Sequence, residues 1–277
     1  MIDSVRSLWA LPTPPVEIII VDQTLHHDEG TERLLGDWHD SGRVRWLRLP
    51  EPSIPRAMNQ GLLKATRPVV LFLDDDIVPD ARLVEAHVKA HMERPGDIVA
   101  GRVLQPWHDG QYDPPQKEFG FNSLEPREVT EFMGGNFSLS RIAALEIGGF
   151  DENFVRVAYR FEAEFAYRWR RSGRCIRYEA AGLIHHRKIG SGGTRTFGDH
   201  LTTLRPDHSV GAYYYLFRTQ PLLKGVTGVL DRLFRSVMTK HHLRHPWWIP
   251  LTFVAELRGL AWAFLLMLRS PRYVARQ

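Results

Sequence analysis

Two apolar runs end abruptly in acids: VEIIIVD at residues 16–22 and PVVLFLDDD at residues 68–76. A continuous apolar run with no polar alternation is the pattern of a strand covered on both faces, as in the parallel sheets of α/β proteins. Between the runs lie a helix-like stretch around Glu32–Ser41, the alternating strand-like VRWLRLP, and PRAMNQGLLKAT, a helical pattern opened by Pro55. Strand, helix, strand, helix, strand at this spacing predicts an open, doubly wound, mostly parallel sheet with helices on both faces. In such sheets ligands bind beyond the carboxyl ends of the strands. Asp22 and the triplet Asp74, Asp75 and Asp76 stand at two such ends, so they are candidates for one shared site.

The pattern continues through a helix at Ala81–Met92 and the strand DIVAGRV. A Pro- and aromatic-rich segment from Gln105 to about Arg127 then has no periodicity and reads as a functional loop. A helix around Tyr159–Ser172 and the strand RCIRYEAAGLIHHR follow. At 277 residues the chain suffices for one large α/β domain or one domain with an appendage. Charge divides it: from Arg218 onward ten Lys and Arg face only Asp231 and Glu256, whereas the preceding residues carry 26 against 30 acids. The expected units are therefore 1–217 and a basic, Trp-rich helical tail at 218–277.

A basic tail calls for an anionic partner. Ile249–Leu268, its most apolar stretch, carries Glu256 and Arg258 near its middle and offers no uninterrupted span of about 20 apolar residues. An interfacial helix pair with Trp247, Trp248 and Trp262 at headgroup level on an anionic membrane suits it better. Packing on its own domain or on a second subunit is the alternative, and no nucleic-acid partner is expected. The single Cys175 excludes an internal disulfide and fits a reducing compartment. With no secretory signal pattern at the start, the expected placement is cytoplasmic, peripheral on the inner face of the cell membrane.

Three adjacent aspartates repel one another unless a cation or donors compensate. Mg²⁺ or Mn²⁺ bound by one or two carboxylates and phosphate oxygens would do so. Alternate side chains of an extended segment share a face, so Asp74 and Asp76 form a D-x-D pair with Asp75 turned elsewhere. Alone, this spacing also describes a solvated acidic turn.

The wider context resembles the inverting family 2 glycosyltransferases of GT-A fold. IIIVDQT, PRAMNQGLLKATRPVVLFLDDDIVPD, FMGGNFSLSRIAALEIGGFDENF, EAEFAYRWRRSG and EAAGLIHH carry the resemblance, in the family's order over roughly residues 5–190. It implies a nucleoside-diphosphate sugar donor, a glycan or lipid-linked acceptor, and Mg²⁺ or Mn²⁺. By the same resemblance Asp22 binds the base, Asp74 and Asp76 hold the ribose and the metal, and His185 stands near metal and diphosphate. Asn59, Asp75, Gly135 and Asn136 complete the donor-binding set, and Lys188 and Arg195, in a lid-like KIGSGGTRTFGDH, meet phosphate.

Sugar transfer with inversion needs a carboxylate to take the acceptor proton. The family places a Glu-Asp pair at the start of the helix after GGFDE; this chain has Phe161-Glu162, with Glu164 two residues on. At about 100° per residue Phe161, Phe165 and Trp169 form the core stripe, Glu162 lies nearer to it than Glu164, and Glu164 has Arg168 as a surface partner four residues later. Glu162 is therefore the expected base, ionised with help from the helix dipole, and Glu164 the backup or ion-pair partner. A second departure is the start: VRSLWALPTPP resembles the end of the family's first helix, so the first strand is missing, which points to a start placed too late. A nucleotidyltransferase is disfavoured by the lack of a Gly-rich basic loop after the first strand. An inactive homologue acting as a membrane scaffold is the other alternative.

Overall fold

The computed structural model describes residues 1–108, 119–188 and 197–274. Helix α1 (Ile2–Trp9) precedes β1 (Ile19–Asp22), which is shorter than the apolar run because Pro14 and Pro15 lack ladder donors and Val16 is exposed. Helix α2 (Glu29–Asp40), capped by Asp28 accepting from Thr31 N, returns the chain to β2 (Arg45–Arg48), parallel to β1. Helix α3 (Ile54–Lys64) leads into β3 (Val69–Leu73).

Strand β3 joins a second sheet. It contains β4 (Ile77–Pro79), β5 (Ile98–Leu104), the two-residue β6 (Arg127–Glu128), β7 (Asn136–Ser140) and β8 (Ile176–His186). The order is β3-β7-β5-β8-β4, with β6 beside β8. Strand β5 runs parallel to β8, while β7 lies antiparallel between β3 and β5. Among the described residues no ladder joins β1 to β3. Helix α1 bridges the two sheets instead: Val5 packs with Ile20, Leu35 and Trp38, and Leu8 with Ile77, Val103 and Ile184.

Helix α4 (Leu83–Glu93) covers β8, α5 (Arg141–Glu146) follows β7, and α6 (Phe161–Arg171) buries the stripe Phe161, Phe165 and Trp169 that its spacing predicts. Ring stacking carries this stripe into the sheet: Phe165 on Phe150 at 4.2 Å, and Phe72 of β3 on Phe137 of β7 at 4.8 Å. Stacked aromatic pairs add about 0.5–1.5 kcal/mol beyond their burial, which fixes α6 against the ends of β3 and β7.

The C-terminal segment forms α7 (Val210–Thr219), α8 (Leu222–Val237), α9 (Lys240–Arg244) and α10 (Ile249–Met267). Val210, Tyr213, Tyr214, Ala263 and Leu266 join the same core as Phe165, so α10 is docked on the α/β part of the chain. Glu256 faces inward, accepting from Tyr213 Oη at 2.5 Å and Arg232 Nη2 at 3.1 Å, which explains an acid in the middle of an apolar helix. Pro246–Met267 is long and apolar enough to cross a bilayer by length and composition, with a third of its apolar window buried. Outward, α8 exposes Leu222, Leu223, Val226, Leu230 and Phe234, and α10 exposes Phe253, Leu257, Phe264 and Leu265.

Candidate active site

Strand β3 ends at Leu73, and the chain turns through the acids into β4. Asp74 and Asp75 are exposed, while Asp76 is buried. The Asp75 carbonyl accepts from Ser4 Oγ at 2.7 Å, and its side chain lies outside the cluster that Asp74 and Asp76 form with His186. The ligand-type atoms of these three residues all lie within 4.8 Å of one another. His186 Nε2 stands 2.8 Å from Asp76 Oδ1 and 3.6 Å from Asp74 Oδ2. The histidine is thus His186, in place of the expected His185. Faces alternate along β8, and His186 shares its face with the buried Ile184, whereas His185 is exposed.

His186 Nδ1 lies 2.9 Å from Gln105 Oε1. An amide oxygen there accepts the Nδ1 proton, so Nε2 presents to the carboxylates either a second proton or the lone pair of a cation ligand. Two carboxylates and one imidazole are a donor set that could hold a divalent cation. Gln105 carried no motif signal; its place at the end of β5 beside β8 is what a paired-strand reading could have used.

Glu162, in the first turn of α6, faces this cluster across Gly134 and Gly135. A Cβ on Gly134 would come within 2.9 Å of Glu162 Oε1, and one on Gly135 would overlap Asp74 Oδ2. Glycine is required at both positions for these carboxylates to approach the same turn. Since adjacent Cα atoms are about 3.8 Å apart, the two carboxylates are separated by no more than about 12 Å.

The Glu162 carboxyl is pushed up to about 7, first by burial, with the charges of Asp74 and Glu131 adding to the rise and its own backbone N–H and Arg160 opposing it. The expected ionising effect of the helix end is therefore outweighed by desolvation. Arg160, which donates to Glu131 at 2.8 and 3.1 Å, holds φ at 73° just before α6, and Arg156 and Ala158 are also left-handed. Such conformations cost about 1–3 kcal/mol each and persist where surroundings fix them, here ahead of Glu162.

Glu164 lies on the other side of α6. It accepts from Arg168 Nε at 2.7 Å and Nη2 at 2.9 Å, and with 2% of its side chain exposed the pair is buried, where sequence spacing suggested a surface pair. It takes no part in the cluster of Asp74, Asp76 and His186.

The structure places two of the expected donor-site asparagines inside the protein. Asn59 is fully buried on the core face of α3, with Nδ2 donating to Phe150 O and Oδ1 accepting from Phe150 N. Asn136 is also fully buried; its side chain points into the sheet, donating to Arg102 O and Gly182 O. Both are engaged inside the protein, Asn59 also donating to Glu152 Oε1 at 3.1 Å and Asn136 Oδ1 also meeting His87 Nε2 at 3.1 Å. Asp22 is buried too, accepting from His27 Nε2 at 2.6 Å, Thr24 N at 2.8 Å and Trp46 Nε1 at 2.9 Å. Burial alone would raise its pKa, but these bonds prevail and lower it. Lys188 is exposed after β8, with Nζ 4.0 Å over the Trp107 ring. Arg195 lies outside the described residues.

An α/β domain with acids at its strand ends and a poised carboxylate across a glycine turn is the design of a sugar-nucleotide transferase. The fold agrees. It is similar to a crystal structure of GalNAc-T7 with UDP, GalNAc and Mn²⁺ (TM-score 0.56, 16% identity, covering 79% of this chain and 48% of that one). It is also similar to S. aureus TarS 1–349 in complex with UDP-GlcNAc (TM-score 0.57, 14% identity, covering 96% and 83%). The chain has the GT-A fold of these structures. Its residues 1–163 match the Glycosyl transferase family 2 profile, and the chain belongs to that family. A relative is the glucosyl-dolichyl phosphate glucuronosyltransferase of Haloferax volcanii, 27% identical over 165 residues, 56% of this chain. The chain spans about half the length of that relative.

Proposed function

We propose that the protein transfers a sugar from a nucleoside-diphosphate sugar to an acceptor hydroxyl with inversion, Glu162 acting as general base. The observation that carries this reading is Glu162, poised near neutrality, facing Asp74, Asp76 and His186 across the Gly134–Gly135 turn. A base is most effective when its pKa lies close to the working pH. Glu162 takes the proton of the acceptor hydroxyl; the acceptor oxygen bonds to the anomeric carbon as the carbon–oxygen bond to the diphosphate breaks. Asp74, Asp76 and His186 are the residues that would hold a divalent cation, whose chemistry is to neutralise charge on the departing diphosphate. Lys188 adds a positive charge at the phosphate end, and Asp22 serves the nucleotide end through the Thr24 and Trp46 contacts it organises.

The acceptor is read as lipid-linked. In support, the Haloferax volcanii relative is named for a dolichyl phosphate sugar, and α8 presents an apolar stripe flanked by Lys224, Arg232 and Arg235. Such a stripe beside basic residues suits the inner surface of an anionic membrane. Asp76→Ala tests the transfer reading: purified protein supplied with Mn²⁺ and UDP-, GDP- or dTDP-sugars should lose metal-dependent turnover, and unchanged turnover refutes the assignment. Retention on phosphatidylserine vesicles should fall in Leu223→Glu/Leu230→Glu; retention equal to wild type refutes the membrane face.

A further inference from the structure

Behind the carboxylate cluster lies a chain of buried polar groups that the transfer reading leaves without a role. His91 Nε2 is 2.8 Å from Ser138 Oγ, Ser138 Oγ is 2.7 Å from His87 Nδ1, and His87 Nε2 is 3.1 Å from Asn136 Oδ1. The Asn136 amide nitrogen spends both protons, on Arg102 O at 3.0 Å and Gly182 O at 2.7 Å. Its oxygen must therefore accept, which makes His87 Nε2 a donor and His87 Nδ1 an acceptor from the Ser138 hydroxyl. Ser138 Oγ in turn accepts from His91 Nε2–H. With both imidazoles neutral, one proton order satisfies these contacts and leaves only the buried His91 Nδ1 without a partner. Burial keeps them so, with His87 lowered to about 3 and His91 to about 4.

The chain ends at the junction of the strands that carry the site. Asn136 faces Leu73 across the β3–β7 ladder, one residue before Asp74, and follows Gly135, whose carbonyl accepts from Asp74 N at 3.1 Å. Arg102 and Gly182 lie at the register shift between β5 and β8, and β8 continues four residues from Gly182 to His186. The space is shaped for the amide: a Cβ on Gly101 would overlap Asn136 Nδ2, and one on Gly182 would come within 2.9 Å of His87 Nε2.

We propose that Asn136, aligned by the His91–Ser138–His87 chain, is a positioning residue. It pins β5, β7 and β8 so that Asp74 and Asp76 from one strand end and His186 from another stand at ligand distance. This rests on the reading of those three residues as a metal site. Partners that orient ligands are worth about 10–100-fold in metal affinity.

The test is Mn²⁺ binding by the full chain, followed by loss of the free-ion electron paramagnetic resonance signal. His87→Leu should weaken binding by about tenfold, and His87→Gln, whose amide N–H can still reach Asn136 Oδ1, should restore it to within about threefold of wild type. A role in stability alone would lower the unfolding midpoint and leave Mn²⁺ affinity of the folded protein unchanged, which overturns the proposal. If His87→Leu does not fold, Ser138→Ala decides: a loss of about threefold or more is expected, and wild-type affinity overturns it. In the wild-type protein, nitrogen NMR should find His87 neutral and protonated at Nε2; an Nδ1–H ring overturns the proton order. Wild-type protein that takes up no Mn²⁺ refutes the metal reading instead. UDP affinity of the same variants then reads the positioning role, and an unchanged UDP affinity overturns it.

Discussion

Glu162→Gln should make the protein more stable while removing its activity. In the unfolded chain this carboxyl titrates near 4.5; in the fold, burial holds it at about 7. Between those values the native state binds a proton that the unfolded state has released, so Glu162 makes stability fall as pH rises from about 4.5 to about 7 and level off above. At about 1.36 kcal/mol per pKa unit the loss is about 3 kcal/mol by pH 8. Glutamine has nothing to ionise and keeps the shape. The variant should match wild type at pH 4 and exceed it by about 3 kcal/mol at pH 8, a shift of about 1 M in urea midpoint at an m of about 3 kcal/mol/M. The comparison is made without nucleotide or metal, because a bound cation favours the carboxylate. Transfer should drop by about 10²–10⁴-fold with donor binding retained. No pH-dependent stability gain refutes the burial argument; full transfer activity refutes the base assignment.

Glu164→Gln should behave in the opposite way. It leaves Arg168 buried without its carboxylate, and breaking a buried pair costs about 3–5 kcal/mol, measurable as a lower urea midpoint at every pH from 6 to 9. Transfer per folded molecule should persist; its complete loss in a folded variant would return Glu164 to the chemistry. His186→Ala should abolish Mn²⁺ uptake measured by calorimetry, whereas His185→Ala should change it by less than about twofold, and the reverse result would restore His185.

What the sequence made legible depended on local periods. The two-residue period of extended chain pairs Asp74 with Asp76, and the 3.6-residue period of α6 buries Phe161, Phe165 and Trp169; both follow from backbone geometry that needs no partner. The residues it misplaced depend on partners. Whether His185 or His186 meets the acids is a matter of parity along β8, and β8 changes register against β5 between Gly101 and Arg102, a shift that apolar spacing does not reveal. At Glu162 the helix dipole is a first-turn effect of about 0.3–1 kcal/mol, while the burial that opposes it depends on the turn at Gly134 packed against its carboxylate.

Asn59 and Asn136 show the third limit. A polar residue inside a recognisable motif reads as a ligand, yet both are fully buried and hydrogen-bonded to backbone and side-chain groups within the protein. A buried amide left unpaired costs about 1–3 kcal/mol, so an asparagine can be indispensable to a site's shape without touching what binds there. Only the accounting of every donor and acceptor separates the two roles. For Asn136 that accounting runs through His87, Ser138 and His91, which with neutral imidazoles take one proton order, with Gly101 and Gly182 leaving it space. The same logic separates Glu162 from Glu164. Two residues apart on one helix, one carboxylate is paired with Arg168, and the other is half-buried with the charges of Asp74 and Glu131 for neighbours, so it has a proton to exchange.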